Sequence, residues 1–549
     1  MKRLVLIIVE LLIKSKNFLL QKTDPILLVF LLMMLNYRFS FKIIAIIGIF
    51  YLRPNFKIKF NGISFFYISI IVLSIVNALV IHPNYSINHL TVVFAGILIW
   101  ITCLLSYHQI KLAIDNNEPF KIINTLKVIA FLNFLISFYD IINVMIITHT
   151  INPYTQFCPP PYGISSGDLI GGVFGEIHLV NTIISFLLTI FFIYQRSILF
   201  AFLCLIPFLL TGSNLATLVF VVILIYLLVL KKGIHIKYYA TFSIMIVLIF
   251  YIKITPDNQK YMIKTMSKIK EQFLKKTDLI LTKPLPSKTT VTVKKKRELT
   301  KDELIYYFVQ HIQKSKKNNT IVTTKMESKL ILNTIIEFQN KKKYILKKDS
   351  DNTLLTKESL TLSKLNNPFF EYGKLKTFNL DSAAGKLISF KQTKNHLEKD
   401  WKNLLFGSGI GTFSSRLAFI TSGIVNDSKI LMAIPKYETQ DFRDNHKAIF
   451  KYLMFLDDET HSITNLPFSW YNQLFGEYGL IGLILFCVAY LGYFIKRFKL
   501  LSFGKTLFIA ILIFFLFDYW YERLSVTLIF ELLMFLDLKI KMFNKQATT

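Results

Sequence analysis

"HSITNLPFSWYNQLFGEYGLIGLILF", residues 461–486, passes from a polar stretch led by His461, through Gly479-Leu480-Ile481-Gly482, into a run apolar enough to enter a membrane. Similar runs recur along the chain, at about 25–36, 42–52, 63–81, 90–107, 127–148, 174–195, 198–211, 213–230 and 238–253. After a long gap they resume at 479–495, 506–518 and 524–538. Several are shorter than the roughly 20 residues that span a bilayer perpendicularly, so their helices must extend into flanking polar residues. The pattern predicts an all-α polytopic membrane protein. It has about 12 transmembrane helices and one large external loop between helices 9 and 10.

Composition agrees with a lipid-facing chain. Of 549 residues, 53% are hydrophobic, with 51 Phe, 26 Tyr and a mean hydropathy of +0.48. A soluble domain has no need of so much apolar surface. The formal charge of +30, from 64 basic and 34 acidic residues, would point to nucleic acid in a soluble protein. Here the basic residues lie between apolar runs or in the long gap, so membrane lipids and anionic lipid-linked substrates are the expected partners, and no nucleic acid. Cys103, Cys204 and Cys487 fall in apolar runs and Cys158 in a loop, a spacing that suggests neither a metal site nor a disulfide framework.

Short connections set the orientation. One alternating set carries roughly twenty Lys and Arg, among them Lys22, Arg53, Lys59, Lys111, Lys121, Arg196, Arg497 and Lys539; the other holds little beyond Arg38 and Arg523. The positive-inside bias therefore predicts both termini in the cytoplasm and the long loop outside. The basic character of that loop does not oppose this, because long loops translocate largely regardless of charge. The expected parts are an interfacial helix over 1–24, nine spans over 25–253, the external loop over 254–467, re-entry and three spans over 468–538, and a cytoplasmic tail over 539–549. The N-terminal MKRLVLIIVELLIKSK reads as an amphipathic interfacial helix and not as a cleavable signal, because Glu10 interrupts it and no small-residue cleavage site follows. Within the long loop, 264–298 is Lys- and Thr-rich. Residues 300–345 carry two capping boxes, Thr300–Glu303 and Thr324–Glu327, each ahead of apolar residues at helical spacing. Residues 398–478 are rich in glycine and aromatics and read as the functional part.

Three stretches, in order, carry a resemblance. They are "GGVFGEIHLVNTI" (171–183), "LLFGSGIGTFSSR" (404–416) and "GEYGLIGLILF" (476–486). Together they resemble the O-antigen ligase and polymerase superfamily, whose members have many membrane helices and one large external loop before the last few spans. The resemblance covers most of the membrane portion and leaves out 264–395. His461-Ser462 has the residue pair that ligase-like members place shortly before Gly-Leu-Ile-Gly, but lies further upstream, and Phe468-Ser469 stands at the usual distance. Gly212-Ser213-Asn214 stands where the family often has Gly-Ser-Arg. Polymerases vary more than ligases at such positions, which favours a polymerase.

The resemblance implies transfer of a glycan from a polyprenyl-diphosphate carrier to a sugar hydroxyl at the outer face of a bacterial inner membrane, with no metal or other cofactor. Other polysaccharide-assembly proteins are further expected partners. The donor is already activated, so the enzyme needs cations for the diphosphate, a base for the acceptor hydroxyl and an apolar portal for the lipid. Arg416 is the first candidate cation. It follows Gly407, Gly409 and Gly411, where small residues let backbone N–H groups approach an anion, and its planar fork suits phosphate. Arg443 and Arg523 are alternates, although Asp441 and Asp444 would serve as simple partners for Arg443. His461 is the first candidate base, with Glu176 its rival and His446 a weaker alternate. Trp470, Tyr471 and Tyr478 suit stacking on sugar faces, or membrane anchoring. Glu477 is expected to cap a helix start, and Gly479 and Gly482 to permit close helix packing. The stretch from Cys158 to Gly172 reads as an external lid, in which Asp168 is exposed and structural. A ligase acting on a lipid core, a polysaccharide or lipid flippase, and a non-enzymatic membrane scaffold remain the alternatives.

Overall fold

The computed structural model describes residues 21–36, 38–55, 57–155, 158, 165–175, 178–230, 233–255, 385–424, 434–455 and 466–548. Residues 1–20 of the expected N-terminal interfacial helix, the two capping boxes at 300 and 324, Glu176 and His461 lie outside the described residues.

The described residues are helical and contain no strand. Five helices are long and apolar enough to cross a membrane: Gly62–Ile81, Ile87–Asn116, Pro119–Thr148, Ile234–Ile254 and Trp470–Leu500. Shorter apolar helices cover Pro25–Leu35, Phe39–Leu52, His178–Tyr194, Ile198–Leu210, Asn214–Leu230 and Gly504–Phe514. The helix Ser525–Thr548 follows the short turn Trp520–Arg523. The chain is thus a helical, membrane-embedded protein. As the short runs require, helices extend beyond their apolar cores into polar residues. The run at 90–107 became Ile87–Asn116, and the run at 479–495 begins at Trp470.

Local chemistry explains the helix starts. Asp24 accepts from the backbone N–H groups of Ile26 and Leu27 ahead of Pro25, which needs no donor at the first helical position. Asn61 and Ser64 form a reciprocal capping box, and the Ser469 side chain caps Trp470–Leu485 by accepting from Asn472 N.

Packing sorts the helices by depth. Every residue from Val180 to Ile193 is buried, so His178–Tyr194 is an inner helix. The outer helices expose large apolar side chains instead, such as Ile47, Val72, Phe94, Phe138, Ile146, Val222, Ile249 and Val488. Those surfaces are stable against lipid and would be an aggregation hazard in water.

Two ends are distinct. At one, Arg53 pairs with Asp24 at 2.9 Å, Lys59 with Asp115 at 2.8 Å, and Lys539 donates to the carbonyls of Ile114 and Asn117. At the other, Lys42 donates to the carbonyls of Met34 and Asn36, Asn77 to those of Phe406 and Gly407, and Trp470 N to Phe515 O. Arg53, Lys59 and Lys539, from three of the connections that share a basic excess in the sequence, meet at one end, and Phe406, Gly407 and Trp470 lie at the other.

Candidate functional site

The site begins with a break in a helix. Within Trp470–Leu485, Gly479 adopts φ 64° and ψ −160°, a conformation open to glycine and very few other residues. The break releases the carbonyls of Gly476 and Glu477 from the helical ladder. Gly476 O accepts from Ser408 N and from Ser408 Oγ, both at 3.0 Å, and Glu477 O accepts from Gly409 N at 3.1 Å. The approach is backbone to backbone. A Cβ on Gly479 would lie 2.5 Å from the Leu405 carbonyl carbon, and one on Gly407, at φ 74°, would lie 2.3 Å from that of Glu477. The glycine-rich loop 404–416 and the turn 476–479 are therefore one interlocked unit. Gly479 was expected to permit close helix packing; it packs against this loop instead. The Cβ position of Gly482 faces Tyr478 within its own helix.

Glu477 sits inside the interlock. Its Oε2 accepts from Gly411 N at 2.9 Å, and its Oε1 accepts from Phe413, Ser414 and Ser415 N, each at 3.0 Å. The side chain is fully buried. This corrects two expectations. Glu477 is not a helix cap, and the backbone donors of the loop at Gly411 are taken by an internal carboxylate. The reason is electrostatic: successive N–H groups curled around one point bind an anion, and the nearest anion belongs to the chain.

A second carboxylate meets the same loop from the other side. Glu522 Oε1 accepts from Gln473 Nε2 at 2.6 Å, and its Oε2 accepts from Leu417 N at 3.0 Å. Arg416, next along the chain and partly exposed, is close enough for its charge to favour the ionised Glu522. Burial, and next the nearby Glu477, push the Glu522 carboxyl up to about 8 against the pull of Leu417 N–H, Arg416 and Gln473. Glu522 and Gln473 were missed in the sequence reading. The one available signal was the position of Glu522 beside Arg523 in "DYWYERLS".

The other expected residues are placed as follows. Arg523 is 6% exposed and pairs with buried Asp518 at 2.8 Å, so it is not offered to a ligand; a buried guanidinium needs such a partner. Arg443 pairs with Glu438 at 2.8 Å, and not with Asp441 or Asp444. Asp441 instead meets Lys399 at 2.6 Å and His396 at 3.6 Å, and Asp444 accepts from Gln440. Trp470 is fully buried, 4.3 Å from the Tyr521 ring and 5.7 Å from Trp100, so it is a core aromatic and not a sugar platform. Tyr471 donates to Leu512 O at 3.1 Å and is half-buried between Phe486 and Phe515. Tyr478 is buried and accepts from Trp100 Nε1. Asp168, expected to be exposed, contacts His178 at 3.0 Å.

Behind the loop, Phe413 lies between two histidines, stacked on His396 at 4.1 Å and tilted on His446 at 4.7 Å. His446 is fully buried, and burial pulls it down to about 3, so it is no surface base. Lys386 donates to Phe468 O and is pulled down to about 7 by burial, with Asp518 opposing. No group of three or more His, Cys, Asp or Glu among the described residues is arranged to hold a metal ion.

No protein-family model matches this chain, and no match to it was found among curated proteins or solved structures.

Proposed function

We propose that this chain is a glycan polymerase of the O-antigen or exopolysaccharide type. In this reading it crosses the bacterial inner membrane about 12 times, keeps both termini in the cytoplasm and presents residues 254–467 outside. It transfers a polyprenyl-diphosphate-linked oligosaccharide to an acceptor sugar hydroxyl, with no metal.

The observation that carries the reading is the interlock. Two of the three stretches on which the resemblance rests, 404–416 and 476–486, are far apart in sequence and lock together at one end of the apolar bundle. That unit brings Arg416 within charge range of Glu522, which accepts from Leu417 N and from Gln473. A membrane-end corner of this kind suits a lipid carrier that keeps its tail in the bilayer and brings its diphosphate to the loop. Arg416 would neutralise charge building on the departing diphosphate, and a rigid loop would hold that cation in place without reorganisation.

The test is the surface glycan of cells lacking the chain, complemented with wild type or Arg416→Ala. Polysaccharide that stops at one repeat unit, restored by wild type and not by Arg416→Ala, is the expected result. Long lipid-carried chains that never reach a lipid core would make the chain a ligase. An unchanged profile would sink the enzyme reading.

A further inference from the structure

We propose that Glu522 is the base that accepts the proton of the acceptor hydroxyl, with the Gln473 amide orienting both; this rests on the reading of the chain as a glycan polymerase.

The two carboxylates that meet the glycine loop are equipped differently. Glu477 accepts four backbone hydrogen bonds and is fully buried, so no solvent or ligand reaches it. Among the described residues, Glu522 accepts one hydrogen bond on each oxygen, and the residue is partly exposed, which leaves a lone pair on each for a further donor. Two environments that set neighbouring carboxylates apart mark one as structural and the other as the group that exchanges protons.

Gln473 supplies an independent pointer to a ligand. It is fully buried, its Nε2 is committed to Glu522, and its Oε1 has no hydrogen-bond partner among the described residues. The Tyr519 hydroxyl, 1% exposed and within reach of the Glu522 charge, also has none. Buried polar atoms are ordinarily paired, so an open acceptor and an open hydroxyl beside a reachable carboxylate fit a ligand rich in hydroxyl groups. Arg416 adds a cation at the same corner, so the ligand class is a sugar hydroxyl next to an anionic diphosphate.

The charged groups that act on Glu522 are Glu477 and Arg416; the neutral Tyr478, Tyr519 and Cys103 lie within range of its own charge. Their balance with burial leaves Glu522 able to take and release a proton near neutral pH, the range in which a general base works best. In the step itself, the acceptor oxygen bonds to the anomeric carbon as its proton passes to a Glu522 oxygen. The bond from that carbon to the diphosphate oxygen breaks, and its electron pair leaves with the polyprenyl diphosphate. Glu522 then returns its proton to water.

The experiment uses the full chain in cells deleted for it, with the cells' own lipid-linked repeat unit as donor. The pulse-labelled rate of repeat-unit transfer is read per molecule of chain in the membrane, for wild type, Glu522→Gln and Glu522→Asp. Glu522→Gln should reach the membrane and melt like wild type, yet transfer about a hundredfold more slowly or worse, the usual contribution of a general base. Glu522→Asp, which keeps the carboxylate, should transfer measurably faster than Glu522→Gln. Wild-type transfer by Glu522→Gln overturns the proposal. So does an equal loss in both variants, which would make Glu522 structural. Polysaccharide unchanged by deletion of the chain overturns the polymerase reading, and this inference with it.

Discussion

At the scale of single residues, buried charge separates scaffold from chemistry. Glu477 holds four backbone N–H groups with one carboxylate. In Glu477→Gln an amide NH2 would face those donors, and buried donors would be left without acceptors. The expected cost is about 3 kcal/mol, seen as a lowered melting temperature of the detergent-solubilised chain. Glu522→Gln should leave the melting temperature unchanged, so the pair distinguishes two carboxylates at one loop. The buried His446 is expected to make the loop sensitive to acid. Unfolded, its imidazole binds a proton near the ordinary 6.5; folded, burial holds it down to about 3. Between those values the unfolded chain binds more protons. Stability is therefore full above about pH 6.5 and falls as pH drops toward 3. His446→Phe should flatten melting temperature against pH between 7 and 4. An unchanged slope would mean that His446 is not its source. Asp441, held below its ordinary range by His396 and Lys399, adds a loss only at still lower pH.

At the scale of elements, the interlock of two loops is the central feature. Gly479→Ala would place a methyl group 2.5 Å from the Leu405 carbonyl in a backbone conformation that alanine avoids. Strain alone is on the order of 1–3 kcal/mol, and the clash adds to it. The expected outcome is poor membrane accumulation, checked by immunoblot of membrane fractions, while Gly48→Ala, with open space around its Cβ position, should accumulate normally. The glycines were legible as sites of close backbone approach. Their partner was not. A string of residues indicates that N–H groups can converge, but not that Glu477, far along the chain, arrives among them first. The same gap explains Trp470 and Arg523. An aromatic or a cation at a membrane edge reads as a ligand contact until folding buries it against Tyr521 or pairs it with Asp518.

At the scale of the molecule, periodic apolar runs were the legible part, because lipid exposure demands them and each helix satisfies its own backbone. The run at 63–81 became Gly62–Ile81, and the run at 127–148 lies within Pro119–Thr148. The residues that meet at the corner by Arg416 come from 404–417, 470–479 and 519–523, and only tertiary packing brings those segments together. The two-ended arrangement leads to a topological prediction. In a background without the four native cysteines, Asp444→Cys should react with a membrane-impermeant thiol reagent in intact spheroplasts. Lys541→Cys should react only after lysis; both positions are exposed and lie at opposite ends of the bundle. The reverse pattern would contradict the orientation read from the basic connections.

The most direct measurement of the central claim is made on the purified chain, reconstituted into vesicles with polyprenyl-diphosphate-linked repeat unit extracted from the same cells. A polymerase yields a ladder of products, each one repeat unit longer than the last, with one polyprenyl diphosphate released per step and no need for added metal. Intact donor after long incubation with folded chain, and no ladder, would contradict it.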